Sequence, residues 1–276
     1  RMRKGDSNDP LLRQILPQAS ELELTPGFIS DPVGDRAAQV VPGVLHKYQG
    51  RALLMVTGAC AVHCRYCFRH EFPYTEIRAG ADLWQPALDY LAGDASIREV
   101  ILSGGDPLTL SDRRLGALLK ELDRIPHLKR LRFHSRLPVA LPARVDDGLL
   151  KLLAQIRLPS VLVIHANHPQ EIDDSVRAAL MQLAMAGVTL LNQSVLLHGV
   201  NDAAATLIDL SEALFAARVM PYYLHLLDRV RGAAHFEVNE ANASAIMKKL
   251  RQRLPGYLVP RLVREQSGQL AKTPVW

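Results

Sequence analysis

The sequence has 276 residues, 48% of them hydrophobic and 22% charged, which suffices to bury one large core and is too apolar for a disordered chain. Lys and Arg (33) exceed Asp and Glu (28) by a net +5; with no long basic run, that excess predicts small anionic ligands rather than nucleic acid. No apolar stretch reaches the roughly 18 residues of a membrane span, and the polar start, Arg1 to Asp9, has no apolar stretch behind it, so neither insertion nor export is expected.

Residues 1–50 carry many Pro and Gly residues and read as a helical or irregular wrap around the outside. From Arg51 the chain alternates short β-branched or apolar runs with longer segments of helical period, the rhythm of parallel strands joined by crossover helices. Strands are predicted over Ala52 to Thr57, Val100 to Ser103, Arg130 to Ser135, Val161 to His165, Thr189 to Ser194 and Tyr222 to Leu226, with Leu258 to Val263 as a further candidate. Helices are predicted over Asp112 to Asp123, Asp146 to Gln155, Asp173 to Ala186, Ala203 to Ala217 and Glu240 to Leu254, several opening with Asp or Ser where an N-cap is needed. The expected fold is a partial, TIM-like (β/α)6 barrel over residues 51–256, followed by a C-terminal segment over 257–276.

Chemically unusual residues follow the apolar runs. The motifs are TGACAVHCRYC, SGGDP, HSR, HANHP, NQS and HLLD, in that order. In a barrel the C-terminal strand ends meet at one mouth, so these six clusters are expected to face a common cavity.

All three cysteines fall within eight positions, as Cys60-X3-Cys64-X2-Cys67. None is left for a disulfide elsewhere, which suits a reducing cytoplasm. Three thiolates on a loop can hold a four-iron cluster and leave one iron open to a chelating ligand. The alternative is a structural zinc with His63 or His70 as fourth ligand, although the distant second ligand pair usual for such sites is missing.

CAVHCRYC resembles the radical S-adenosylmethionine signature, with Tyr66 as its aromatic, and SGGDP resembles that superfamily's glycine-rich motif after the second strand. RYCFRH, ILSGGDPL, HSRLPVALPARV, HANHPQEI, NQSVLLHGVND, MPYYLHLLD and AKTP together resemble the lysine 2,3-aminomutase family, in order, from about Leu45 to the end. The resemblance implies an isomerase with three cofactors: a [4Fe–4S] cluster on Cys60, Cys64 and Cys67, S-adenosylmethionine, and pyridoxal 5′-phosphate. It places S-adenosylmethionine against Ser103, Gly104, Gly105 and Asp106, with Arg136, His165, Asn167 and His168 at the ends of the third and fourth strands as further candidates. Lys272 stands at the family's Schiff-base lysine, with Arg51, Lys47 and Gln193 toward the cofactor phosphate. Arg69 matches the arginine that grips the substrate carboxylate, and Asp228 and Glu265 match two acids around the side-chain ammonium, a pair that favours a cationic substrate over glutamate. His198, His225 and His235 read as structural, and Tyr222 and Tyr223 as packing residues with room for one hydroxyl in the cavity.

By that resemblance the activity is conversion of L-lysine to β-lysine by 1,2-amino migration, started by a radical from S-adenosylmethionine after an external electron donor reduces the cluster. The alternatives are an aminomutase for glutamate or arginine, or a radical enzyme without pyridoxal phosphate. The chain stops four residues after Lys272, where clostridial-type aminomutases continue. The resemblance is therefore strongest to the compact bacterial form that makes (R)-β-lysine for elongation factor P.

Overall fold

The computed structural model describes residues 1–74 and 84–275. After a four-residue helix, α1 (Pro10–Arg13), a hairpin of β1 (Gln39–Val41) and β2 (Val44–Tyr48) opens the sheet. Strand β3 (Arg51–Thr57) pairs antiparallel with β2, and from there the strands are parallel and adjacent in chain order: β4 (Glu99–Gly104), β5 (Arg130–Ser135), β6 (Ser160–Ile164), β7 (Thr189–Val195), β8 (Met220–His225) and β9 (Arg261–Arg264). A short antiparallel strand, β10 (Thr273–Pro274), closes the order. Among the described residues no pairing joins β10 to β1, so the sheet is an open, partial barrel.

Helices α2 (Gln85–Gly93), α3 (Asp112–Asp123), α4 (Leu137–Ala140), α5 (Asp147–Gln155), α6 (Asp174–Met185), α7 (Ala204–Ala216) and α8 (Glu240–Arg253) lie between the parallel strands. Each longer helix buries one stripe. In α3 it is Leu115, Leu118, Leu119 and Leu122, spaced to lie on one side of a 3.6-residue turn. Asp146, Asp173 and Asn239 cap α5, α6 and α8 by accepting from the backbone N–H of Leu149, Val176 and Asn242. Ser111 and Ala203 open α3 and α7 without a side-chain cap.

The strands divide their side chains by period. In β5, Leu131 and Phe133 are buried against the helices while Arg132 and His134 point to a cavity; in β7, Leu190 and Asn192 alternate with Gln193 and Val195. β4 is buried on both faces at its first five positions, as a central parallel strand is.

The six expected strands are present within one or two residues, and the further candidate is the seventh parallel strand. Two differences have physical reasons. The stretch before Arg51 contributes β1 and β2, whose hairpin turns at Gly43 with φ +82; β2 continues the hydrogen bonding of β3, which a wrap would leave open. Helix α2 was not among the expected helices. It is nine residues long, has Pro86 in its first turn and Gly93 at its end, and buries only Ala87 and Leu91, so its apolar period is too short to read. Among the described residues no helix is long and apolar enough to cross a membrane.

Candidate active site

One cavity of about 830 Å³ occupies the barrel. Its mouth is formed by the loop after β3 and by the C-terminal ends of β4 to β9, which bring Cys60, Cys64, Cys67, Ser103, Asp106, Arg136, His165, Asn167, Gln193, Asp228 and Glu265 together. It also runs down the strands. Arg51 and Tyr222, which line it, stand at the start of β3 and near the start of β8, so Arg51 lies deep rather than at the mouth. His168 does not line the cavity; its Nδ1 accepts from Gln170 N and caps a turn.

The cysteine loop is held by the glycine pair after β4. Gly105 N donates to Thr57 O at 2.7 Å and Asp106 N to Ala59 O at 2.8 Å. A Cβ on Gly105 would fall 2.2 Å from Ala59 O, and Gly104 has φ +111, so both positions need glycine. The three thiols are half-buried and unpaired. Burial, with Asp106 and the neighbouring cysteines, pushes Cys60 up to about 12, and burial followed by Cys64 pushes Cys67 up to about 11. For Cys60 and Cys67 burial thus disfavours the thiolate that a metal would require. Among the described residues no three His, Cys, Asp or Glu side chains gather tightly enough for a single metal ion.

A chain of alternating charge runs through the cavity from Lys272. Its Nζ donates to Glu265 Oε2 at 2.5 Å, and Glu265 Oε1 accepts from Lys47 Nζ at 3.3 Å. Lys47 Nζ lies 2.5 Å from Asp35 Oδ1, an ion pair off hydrogen-bond geometry, and donates to Val33 O at 2.7 Å. Asp35 Oδ2 accepts from Arg69 Nε at 2.5 Å. Burial raises the Glu265 carboxyl, but Lys272 foremost, then Lys47 and Arg69, bring it down to about 2. Among the described residues Asp228 has no ion-pair partner: burial first, then the Glu265 charge, push it up to about 7 against the pull of Lys272 and Lys47. Deeper in, the Arg51 guanidinium stacks 4.5 Å from the Tyr48 ring, and Arg132 forks onto Glu99 Oε1 at 2.9 and 2.7 Å.

Near the cysteines a second polar network is closed on itself. Arg136 donates to Cys64 Sγ (2.7 Å), Tyr66 Oη (3.0 Å), Gln14 Oε1 (2.6 Å) and Glu171 Oε2 (3.0 Å). Asn167 Nδ2 donates to Gln14 Oε1 and Tyr66 Oη, while its Oδ1 accepts from Val195 N. The Asp106 carboxylate likewise accepts from Leu108 N, Ser135 Oγ, Arg136 N and Leu137 N. Asp106 and Asn167, both expected to face S-adenosylmethionine, thus spend their side chains on holding the β4, β5 and β6 ends in place. Ser103 Oγ accepts from Arg69 Nη1 at 3.4 Å, and His165 Nε2 meets Gln193 Nε2 at 2.8 Å. Burial, followed by Arg136 and Arg69, holds His165 down to about 3, so the ring is neutral and Nε2 accepts from the amide.

Two buried nitrogens on the cavity wall, His134 Nε2 and His225 Nε2, have no hydrogen-bond partner among the described residues. His225 is therefore a lining residue, not the structural one expected. Orphaned polar atoms of this kind mark where a ligand's hydrogen-bonding groups belong.

No protein-family model matches the chain. It is 53% identical over 275 residues to a protein of Escherichia coli K12 named L-lysine 2,3-aminomutase, covering all of this chain and 80% of that one. The chain belongs to the L-lysine 2,3-aminomutase family. A Haemophilus influenzae relative of the same name is 50% identical over 99% of this chain and 81% of its own length, and one from Clostridium subterminale is 38% identical over 98% and 65%. Among solved structures, a radical SAM methyltransferase from Sphaerobacter thermophilus has a TM-score of 0.54 at 17% identity, covering 80% of this chain and 68% of that one; at that identity the likeness shows the fold.

The residues present fit the three groups that lysine 2,3-aminomutases imply. Three free thiols on one loop can take a four-iron cluster, which is wider than one ion and needs no tight single-ion site. Arg51, together with Lys47 and Arg132, which are paired with Asp35, Glu265 and Glu99, lines the cavity with cationic donors that a phosphate could engage, and Lys272 reaches the same cavity across the Tyr223 ring, 5.8 Å away. The orphaned imidazoles suit a ligand rich in polar atoms. Sequence reading missed Asp35, Gln14, Arg132 and Glu171. Glu171 alone carried a signal, since His168-Pro-Gln-Glu171 has the spacing of a capping box, which it forms.

Proposed function

We propose that this chain is an isomerase that converts L-lysine to β-lysine by moving the amino group from the α to the β carbon. The observation that supports it above all is one cavity shared by Cys60, Cys64 and Cys67, by Lys272, and by a guanidinium and two carboxylates of suitable polarity, Arg69, Asp228 and Glu265. When bound, the cluster with S-adenosylmethionine supplies a carbon radical for hydrogen abstraction, and pyridoxal phosphate on Lys272 supplies a carrier for the migrating nitrogen.

The chain's own residues bind and orient. Arg69 takes the lysine carboxylate through its planar fork. Asp228 and Glu265 take the side-chain ammonium; Asp228, poised near pH 7, gives up its proton when that cation arrives beside it. Glu265 holds Lys272 Nζ in place, the nitrogen that would carry the cofactor's aldehyde. Lys47, Arg51 and Gln193 serve the phosphate, with Arg132 added from the same wall. Ser103, Gly104 and Gly105 offer backbone to S-adenosylmethionine, while Asp106, Arg136, Asn167 and His165 keep the neighbouring strand ends rigid. Leu45, Leu53, Ile101 and the Tyr222 and Tyr223 rings exclude water around the reacting carbon.

The product is inferred to be (R)-β-lysine for modification of elongation factor P in the cytoplasm, with an external protein or small molecule reducing the cluster. Support comes from the identities, 53% and 50% to the Escherichia coli and Haemophilus influenzae relatives against 38% to that of Clostridium subterminale, and from three cysteines left unpaired. The test is anaerobic incubation of the reconstituted, reduced protein with L-lysine and chiral chromatography of the product. β-Lysine is expected; S-adenosylmethionine cleavage with no β-amino acid from lysine, glutamate or arginine overturns the assignment.

A further inference from the structure

Asp35 lies in the N-terminal segment, is 1% exposed, and is the carboxylate to which both Arg69 and Lys47 are tied. We propose that Asp35 is a positioning residue that decides which edge of the Arg69 guanidinium is offered to the substrate's carboxylate. This rests on the reading of Arg69 as the carboxylate grip.

A guanidinium can meet a carboxylate bidentately along its Nε side or along its Nη1 and Nη2 end. Here Nε donates to Asp35 Oδ2 at 2.5 Å, which closes the first edge. Nη1 has a long contact of 3.4 Å with Ser103 Oγ, and the Phe68 ring backs the plane at 4.6 Å. Among the described residues, what remains open is the Nη end. Asp35 is itself aimed by a turn: Asp31 Oδ1 accepts from Asp35 N at 2.8 Å and Asp31 Oδ2 from Arg36 N at 3.0 Å. Gly34, at φ +69, lets the loop carrying Ser267 come so close that a Cβ would lie 2.3 Å from its Oγ. Burial raises the Asp35 carboxyl, yet Arg69 and then Lys47 hold it below the ordinary carboxylate range. An ionised, buried carboxylate is thus fixed on one side of Arg69, so less of that long side chain's rotamer entropy is left to lose when the ligand binds.

A purely neutralising Asp35 would act the other way, since its removal would leave Arg69 more attractive to an anion. The experiment uses protein loaded with pyridoxal phosphate and follows the change in cofactor absorption on titration with L-lysine and with 1,5-diaminopentane, which is lysine without its carboxylate. Asp35→Asn is expected to weaken L-lysine by about 10- to 100-fold and to leave the diamine as in the wild type, with Asp35→Glu restoring most of the loss. Unchanged or tighter L-lysine binding, or equal loss for both ligands, overturns the proposal. If Asp35→Asn does not fold, Asp31→Ala removes only the turn that aims Asp35 and is expected to show the same selective loss at smaller size; no selectivity there overturns it as well. A wild type that binds neither ligand would overturn the functional reading, and the proposal with it.

Discussion

Replacing Gly105 by Ala tests the clamp that places the cysteine loop. The added Cβ would sit 2.2 Å from Ala59 O and 2.7 Å from the carbonyl carbons of Ala59 and Gly58, where about 3.5 Å is comfortable. All three are backbone atoms, so the loop must retreat by about 1 Å. That stretches Gly105 N to Thr57 O and Asp106 N to Ala59 O, now 2.7 and 2.8 Å. Two backbone hydrogen bonds at about 0.5–1.5 kcal/mol each and an overpacking cost of about 1–3 kcal/mol give a loss of about 2–6 kcal/mol. The melting temperature should fall by roughly 5–15 °C. Cys60 is the next residue after Ala59, so iron bound after anaerobic reconstitution should fall too. Urea and thermal unfolding of the metal-free protein, followed by circular dichroism, measure the first effect, and iron analysis the second. Wild-type stability together with wild-type iron content in Gly105→Ala would refute the clamp.

Asp228, whose pKa rises to about 7 on folding, disfavours the folded state once ionised. Its contribution is present below the unfolded carboxyl value near 4 and is lost as pH climbs through about 7, so Asp228→Asn should melt progressively higher than the wild type between pH 5 and 8; parallel melting curves across that range would count against the shift. Lys272→Ala should abolish the absorption band of the lysine-bound cofactor while S-adenosylmethionine cleavage by the reduced cluster survives, and a retained band would point to another lysine. Cys64→Ser should cut the iron retained on reconstitution and abolish S-adenosylmethionine cleavage, with pyridoxal phosphate still binding at Lys272, as separate spectra would show.

The barrel was legible because parallel strands buried on both faces make unbroken apolar runs, as in Val100 to Leu102, and because Asp146 and Asp173 announce helix starts. The cysteine loop was legible from its spacing. The residues that hold the site in place were not. Gln14 meets Glu171 across 157 positions and Asp35 meets Arg69 across 34, and no periodicity links such pairs. Asp106 and Asn167 show the limit from the other side: each stands at the expected strand end, but the local geometry turns its polar atoms toward the protein's own backbone and side chains.

The lone amide of Gln14 has an architectural consequence. Its Oε1 satisfies Arg136, Asn167 and Tyr66, and its Nε2 satisfies Glu171 and Pro10 O, so the first short helix acts as a keystone for two distant strand ends. Removing residues 1–14 would cost the Arg136 guanidinium and the buried Asn167 amide one acceptor each, while Cys64, Tyr66 and Glu171 still accept from Arg136 and Tyr66 from Asn167, so the leading segment and the β5 and β6 ends stabilise one another.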